Sequence, residues 1–338
     1  MSKFTRQLLP FGSLTLIICI LSVLRLDTFL TAGNFLNVLR RSSVNGIIAV
    51  GMTAVIISAG IDLSVGSMLA LAGMVGAYTM IALGGAEPTA SVMIAGTMVG
   101  VIMGTLCGLV NGWLITRLRL QPFIVTLGTM SAFRGISYVM NDGQPYNVPG
   151  YKYLGEGLIP LWKSMETTAV GEQIEVVRGI PISVVIFLVI IAAAGFIFKY
   201  TRLGRYTYAI GSNREAAFHA GVNVDRNLIY IYTLTGLLVG VAAMIATSRT
   251  VSAQPTAGIA LELDIIAAVV IGGASLAGGR GTITGTIIGT LLIGFLRNGC
   301  TLLGISTNVQ LIVIGGIIIA AVALDQLARS RAGSSGAA

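Results

Sequence analysis

Gly60-Ile61-Asp62-Leu63-Ser64-Val65-Gly66-Ser67 interrupts a run of apolar sequence that would otherwise extend over about two bilayer thicknesses. The interruption is short, rich in small polar residues, and centred on a carboxylate. A charge within a membrane is costly, so it is expected at a helix N-terminus, a polar cavity or a functional interface. The break therefore points to a membrane transport protein. Around it, 55% of the 338 residues are hydrophobic and only 10% are charged, with a mean hydropathy of +0.89. Such a composition excludes an ordinary soluble domain. The 44 glycines predict closely packed helices, because packing in lipid relies on small residues.

Runs near 20 apolar residues place candidate spans at 8–24, 44–59, 64–84, 89–115 and 122–140, then at 181–198, 227–247, 263–276, 284–303 and 309–325. The expectation is an all-α polytopic membrane protein with about ten transmembrane helices, forming a single domain over residues 1–330. The small, polar end at 331–338 is expected to be a disordered tail. The basic N-terminus lacks a small-residue cleavage site and reads as the start of a first span, not a removable signal. A net charge of +8 is explained by cytoplasmic loops and not by nucleic-acid binding.

Lys and Arg collect on the cytoplasmic side. With the N-terminus inside, Lys3, Arg6, Arg117, Arg119, Lys199, Arg202, Arg205, Arg214, Arg226, Arg280, Arg329 and Arg331 fall there, and both termini are cytoplasmic. Asp27, Glu87, Asp142, Glu156, Glu166, Glu172, Glu175 and Glu262 fall opposite. Arg25, Arg40 and Arg41 land on the wrong side, so 25–43 is read as an interfacial helix or a misplaced boundary. Residues 141–180 form an external loop with room for a short amphipathic helix on the membrane. Residues 199–226 form a cytoplasmic loop, in which Asn213 to Ala220 is helical and stops at Gly221.

Ser58-Ala-Gly-Ile-Asp-Leu63 has an echo in Thr256-Ala-Gly-Ile-Ala-Leu261. The topology puts the two on opposite sides of the membrane, as an inverted internal repeat requires. Cys19, Cys107 and Cys300 sit in apolar stretches without metal-ligand spacing and read as free buried thiols. Neither a metal site nor the nucleophile, base and metal constellation of an enzyme is present.

Asp62 has three readings: it accepts backbone N–H bonds at the next helix start with Ser64 as cap, it lines a polar route, or it couples protons as in an ion-driven secondary transporter. Asn45, Gln254 and Asp264 read either as path-lining residues or as packing hydrogen bonds. Arg134 and Arg297 are expected to snorkel, and His219 to be an ordinary surface residue.

Gly51-Met-Thr, the Gly60–Ser67 stretch, Thr201-Arg-Leu-Gly-Arg-Tyr206, Gln254-Pro-Thr-Ala-Gly258 and Ile271-Gly-Gly-Ala-Ser-Leu-Ala-Gly-Gly-Arg-Gly281, followed by Gly285 and Gly289, resemble the membrane permease of ribose-type bacterial ABC importers of monosaccharides. The likeness runs from about 34 to 325. It implies an inner-membrane permease, paired with a second permease copy, fed by a periplasmic or surface sugar-binding protein and driven by a cytoplasmic ATP-binding subunit. ATP and Mg would be used in that partner, since this chain has no Gly-x-x-x-x-Gly-Lys-Ser/Thr loop. The glycines of 272–281 are read as helix packing and a cytoplasmic turn, not a phosphate loop.

Within the cytoplasmic loop, Glu215, Ala216, Ala217 and Gly221 resemble the importer coupling motif, although the Ile-x-Leu-Pro that often follows it is missing. The resemblance implies that Arg205, Asn213, Arg214 and Arg226 flank a lever for the ATPase; the plainer reading is a solvated charged face. Ribose is the favoured substrate. Xylose, allose, galactose, a sugar-like signal or a nucleoside are the alternatives.

Overall fold

The computed structural model describes residues 3–85, 87–167, 173–317, 319 and 323. Its helices in chain order are α1 (Lys3–Leu24), α2 (Leu26–Phe29), α3 (Ala32–Ile57), α4 (Val65–Gly84), α5 (Ala90–Arg117), α6 (Pro122–Val139), α7 (Tyr153–Glu156) and α8 (Ile182–Tyr200). They continue as α9 (Arg202–Ser212), α10 (Arg214–His219), α11 (Val224–Thr250), α12 (Leu261–Ile271) and α13 (Ile283–Leu302), with a last apolar helix α14 over Thr307–Ile317. Among the described residues α4, α5, α8, α11 and α13 are long and apolar enough to cross a membrane.

The bundle has an apolar core, as a water-soluble fold has, but its outer surface is apolar as well and its interior also holds polar groups. Asp62, Ser64, Asn111, Thr235 and Ser248 are buried, while Ile94, Met98, Ile102 and Leu106 on α5 and Leu188, Val189 and Phe196 on α8 are exposed. The exposed side chains of α5 recur every four residues, and so do its buried glycines Gly96, Gly100, Gly104, Gly108 and Gly112. This pattern gives α5 one bulky face for lipid or a second copy and one flat face for its neighbours. On the flat face, Gly104 and Gly108 lie against Gly236 and Gly240 of α11, and a methyl on Gly104 would come within 2.7 Å of the Gly240 nitrogen. Backbones that approach this closely gain dispersion contact that longer side chains would prevent. Helix α4 fills the centre, packed by α5, α6 and α11.

Several expectations are corrected. Helix α3 begins at Ala32, not at 44, so Arg40 and Arg41 lie inside it and 25–43 is no interfacial helix. The polar 31–43 stretch still helps form a helix because Thr31 caps it, accepting from the Asn34 N–H at 3.2 Å. Helix α12 ends at Ile271, five residues before the expected end, because Gly272 is followed by Gly273 at φ 92°. At 11 residues it is about 16 Å long, half a crossing.

The short amphipathic helix expected in the 141–180 loop is not found among the described residues, where the loop's one helix is the four-residue α7. Strands β2 (Leu158–Thr167) and β3 (Gln173–Pro181) form an antiparallel hairpin, so the fold is not purely α. Strand β1 (Tyr146–Asn147) pairs with β4 (Ser252–Ala253) and ties this loop to the end of α11. The four-residue α7 also packs on α11, where Gly155 sits against the backbone of Arg249. Cys19 is exposed, while Cys107 and Cys300 are buried as expected; all three are free. The 331–338 tail lies outside the described residues, as does the last part of the 309–325 span.

The two echo segments do not lie on opposite surfaces of the bundle. Each is a non-helical break that ends at the start of an interior helix, and the first turn of α4 meets the second break directly: Gly66 and Gly258 are in backbone contact. Glu262, expected on the external face, stands in the first turn of α12 beside this junction.

Candidate functional site

The Gly60–Ser67 break holds a buried polar network. Asp62 Oδ1 accepts the Ser64 N–H at 2.9 Å and the Ser64 hydroxyl at 2.6 Å. Asn111 of α5 donates through Nδ2 to Ser64 Oγ at 2.8 Å and, at 3.5 Å, to Asp62 Oδ2. On the other side, the Thr126 hydroxyl of α6 bonds the Ile61 carbonyl at 3.2 Å. The network satisfies a carboxylate that is 0% exposed and fastens the break to two helices. Ser64 stands at the N-cap of α4, but its side chain makes no capping bond to that helix; it serves Asp62 instead. Among the described residues the Asp62 carboxylate has no ion-pair partner and its side-chain partners are Ser64 and Asn111. The hydrogen-bonding reading of Asp62 fits this geometry, and a relay of acids does not.

Removing Asn111 should loosen the junction. Asn111→Ala takes one donor from Ser64 Oγ and the weaker one from Asp62, with a cost of about 1–3 kcal/mol for buried groups left short of a partner. A melting temperature in detergent indistinguishable from the parent protein would show that the amide is not a strut.

The second break carries the other predicted positions. Arg134 of α6 does not snorkel: its Nη1 donates to the Pro255 carbonyl at 2.5 Å and the Ala257 carbonyl at 2.7 Å, which holds the break against α6. Nor does Arg297 snorkel; its Nη2 lies 2.6 Å from Asp264 Oδ2 and 2.8 Å from Oδ1, an ion pair joining α13 to α12. Asp264 is thus a packing partner. Asn45 and Gln254 do come together, lining a cavity of about 260 Å3 with Arg249, Thr250 and Ser252. This cavity lies between α3, α4 and α11 and reaches Gly258 beside the junction of the two breaks.

Arg249 and Asn111 were not legible as site residues. Asn111 carried a signal, a lone amide on a glycine-spaced apolar helix. Arg249 carried none: only the fold brings it near Asn45, and into electrostatic range of Arg40 and Arg41.

At the far end of α11, some 40 Å from Arg249 along its 27 residues, the 199–226 segment forms two short helices. Asn213 is the N-cap of α10, accepting the Ala216 N–H at 2.9 Å, and Asn223 caps α11 in the same way at 3.0 Å. Gly221 adopts φ 82° and stops α10. Glu215, Ala216, Phe218 and His219 are exposed while Ala217 is buried, so α10 is a small surface knob. Arg214 faces Asp225 at 3.6 Å, with both side chains more than half exposed. Arg205 is exposed too, its Nη1 donating to the Tyr200 carbonyl at 3.2 Å. The glycine turn after α12 underlies the knob: the Gly279 N–H donates to the Ile57 carbonyl at 2.8 Å, Tyr208 donates to the Gly281 carbonyl at 2.8 Å, and Gly211 packs on both Ile57 and Gly279. The turn's hydrogen bonds are internal to the fold, which agrees with its reading as a packed turn.

Comparison with known proteins fits this architecture. The chain is 42% identical over 323 residues to the ribose import permease protein of Haemophilus influenzae, covering 96% of this chain and 94% of the relative. It is 42% identical over 325 residues to the ribose import permease protein of Bacillus subtilis, covering 95% and 93%. To the D-allose transport system permease protein of Escherichia coli it is 38% identical over 317 residues, covering 94% and 90%. No solved structure matches the chain. Residues 34–322 match the family described as branched-chain amino acid transport system, permease component, and the chain belongs to that family of multi-pass membrane permeases.

Proposed function

We propose that this chain is the transmembrane subunit of an ATP-driven importer that admits a monosaccharide, ribose before other sugars, into the bacterial cytoplasm. The observation that carries the reading is the near full-length similarity to ribose import permeases, at 42% against 38% for the D-allose permease. The cavity supports it. Its amide and hydroxyl groups, from Asn45, Thr250, Ser252 and Gln254, suit the hydroxyls of a neutral polyol, and its volume is slightly below the roughly 300–1,000 Å3 of drug-sized sites. An amino acid zwitterion would call for a carboxylate beside Arg249, and the lining residues include none.

In this reading both termini are cytoplasmic and the chain crosses the bilayer about ten times. The two breaks are discontinuous helices whose half-helices start near the midplane. The knob α10, with Glu215, Ala216, Ala217 and Gly221 and the basic Arg205, Arg214 and Arg226, seats in a cytoplasmic ATPase, which binds ATP and Mg. A sugar-binding protein delivers at the opposite face, and two permease copies pair to enclose the route.

The test is uptake in proteoliposomes holding this chain, its ATPase and its binding protein, with ribose, allose and xylose compared. Ribose uptake that needs all three proteins and ATP, and is lost when 213–221 is replaced by a Gly-Ser linker, is expected. Uptake by this chain alone along an ion gradient would overturn the proposal and return Asp62 to the role of a coupling carboxylate.

A further inference from the structure

Besides the polar cavity, the bundle contains an apolar one of about 260 Å3, between α3, α8, α9 and α11. Its walls include Val50, Ala194, Ile197 and Ile231, and Thr207 and Thr235 supply the only side-chain oxygens among the lining residues. Leu234 and Leu237, also in the lining, are 40% and 37% exposed, so the cavity opens on the outer surface of the bundle and not on its interior. In a membrane that opening faces acyl chains.

One end of the cavity is closed by the corner between α8 and α9, where Phe198, Leu203 and Gly204 line it. Three cations are set in the same corner: Lys199 in the last turn of α8, and Arg202 and Arg205 on the first turns of α9. All three are exposed, and none has a carboxylate within ion-pair distance among the described residues. The split of α9 is sharp, because Gly204, Thr207, Ile210 and Gly211 face inward while Arg202 and Arg205 face out. Because α8 is long and apolar enough to cross a membrane and ends at Tyr200, this corner stands at headgroup level. Tyr200, exposed beside Lys199 with the ammonium 5.1 Å from its ring, suits the same depth.

An apolar slot open to lipid, ending at unpaired cations at headgroup level, matches one molecule in both halves. We propose that the cavity holds an acyl chain of an anionic phospholipid whose phosphate is bound by Lys199 and Arg202. A zwitterionic lipid would fill the slot but would gain less at the basic corner. The inference needs only the membrane setting of the chain and is independent of which solute it carries.

The experiment is native mass spectrometry of the full chain released from vesicles of equal parts phosphatidylglycerol and phosphatidylcholine. The parent protein is expected to retain phosphatidylglycerol in preference. Lys199→Gln with Arg202→Gln, both at exposed sites, should reduce that preference by about fivefold per charge removed, roughly 30-fold for the pair. Ala193→Phe, at the exposed rim of the cavity, should lower retention of both lipids by obstructing the slot. A melting-temperature titration of delipidated protein with each lipid gives the same comparison without the gas phase. Retention unchanged in Ala193→Phe, or an unchanged lipid preference in the double variant, would overturn the proposal. So would a lipid-free dimer of the parent chain that Ala193→Phe splits, because the slot would then be an interface between copies.

Discussion

An Arg297→Gln permease should melt well below the parent protein, with a loss of about 2–4 kcal/mol. The Asp264 side chain is 7% exposed and that of Arg297 28%, so the carboxylate depends on this one guanidinium for its charge partner. Glutamine keeps much of the length and a hydrogen-bond donor, yet leaves a buried anion uncompensated. Breaking such a pair from one side costs about 3–5 kcal/mol where both members are buried, and the partial exposure of Arg297 lowers the figure. Asp264→Asn should be less damaging, since the orphaned guanidinium is nearer to solvent. Replacing both, as Asp264→Leu with Arg297→Met, should recover most of the loss, because no charge then remains to be desolvated. Thermal melts of the four proteins in one detergent decide the matter. A single Arg297→Gln variant as stable as the parent would mean that water reaches Asp264.

The same pair marks the limit of what the sequence carries. Arg297 and Asp264 are 33 positions apart, and Arg134 reaches carbonyls more than 120 positions away. Nothing local distinguishes an arginine that snorkels from one that crosses to a neighbouring helix, and snorkelling is the wrong reading for both. Asn45 and Gln254 were legible as polar residues in apolar surroundings, but only the fold shows that they share a cavity with Arg249. The hairpin of 158–181 was hidden because charge and proline in a long loop signal exposure without signalling strand pairing.

Where the information is local, sequence and structure agree closely. Helices α4, α5, α6, α8, α11 and α13 begin within three residues of the expected apolar runs, since the apolar runs and the caps that start them are local in sequence. Helix α10 appears where Asn213 and Gly221 predicted it, because a cap and a left-handed stop act over a single turn. Asp62 falls between these cases. The Ser64 N–H bond is a local turn and was one of three readings open for Asp62, whereas the contribution of Asn111 arrives from another helix.

The largest functional effect is expected from Gly211→Val. Gly211 ends the inward face of α9, two residues before the cap of α10, and it packs on the carbonyl of Ile57 and the backbone of Gly279. A side chain there would overlap the Ile57 carbonyl. That neighbour is backbone at the end of α3, itself bonded to the Gly279 N–H at 2.8 Å, so no rotamer change relieves the clash. Gly278 and Gly279 also cannot swing away freely, because they adopt φ of 83° and 70° and pack on Ala59 and Ser212. Three segments meet at this point: the α9–α10 corner, the turn after α12, and the chain that runs five residues on into Asp62. If motion of α10 reaches the breaks, this is the shortest packed route for it. Gly211→Val is therefore expected to abolish ATP-driven uptake while the complex with the ATPase still assembles and hydrolyses ATP, since the exposed surface of α10 is unchanged. Gly195→Val on α8, a site with open space around it, is the matched control and should transport like the parent. Normal uptake by Gly211→Val would exclude the α9 contact from the coupling route. Loss of assembly as well as uptake would place its effect on the docking surface and not on transmission.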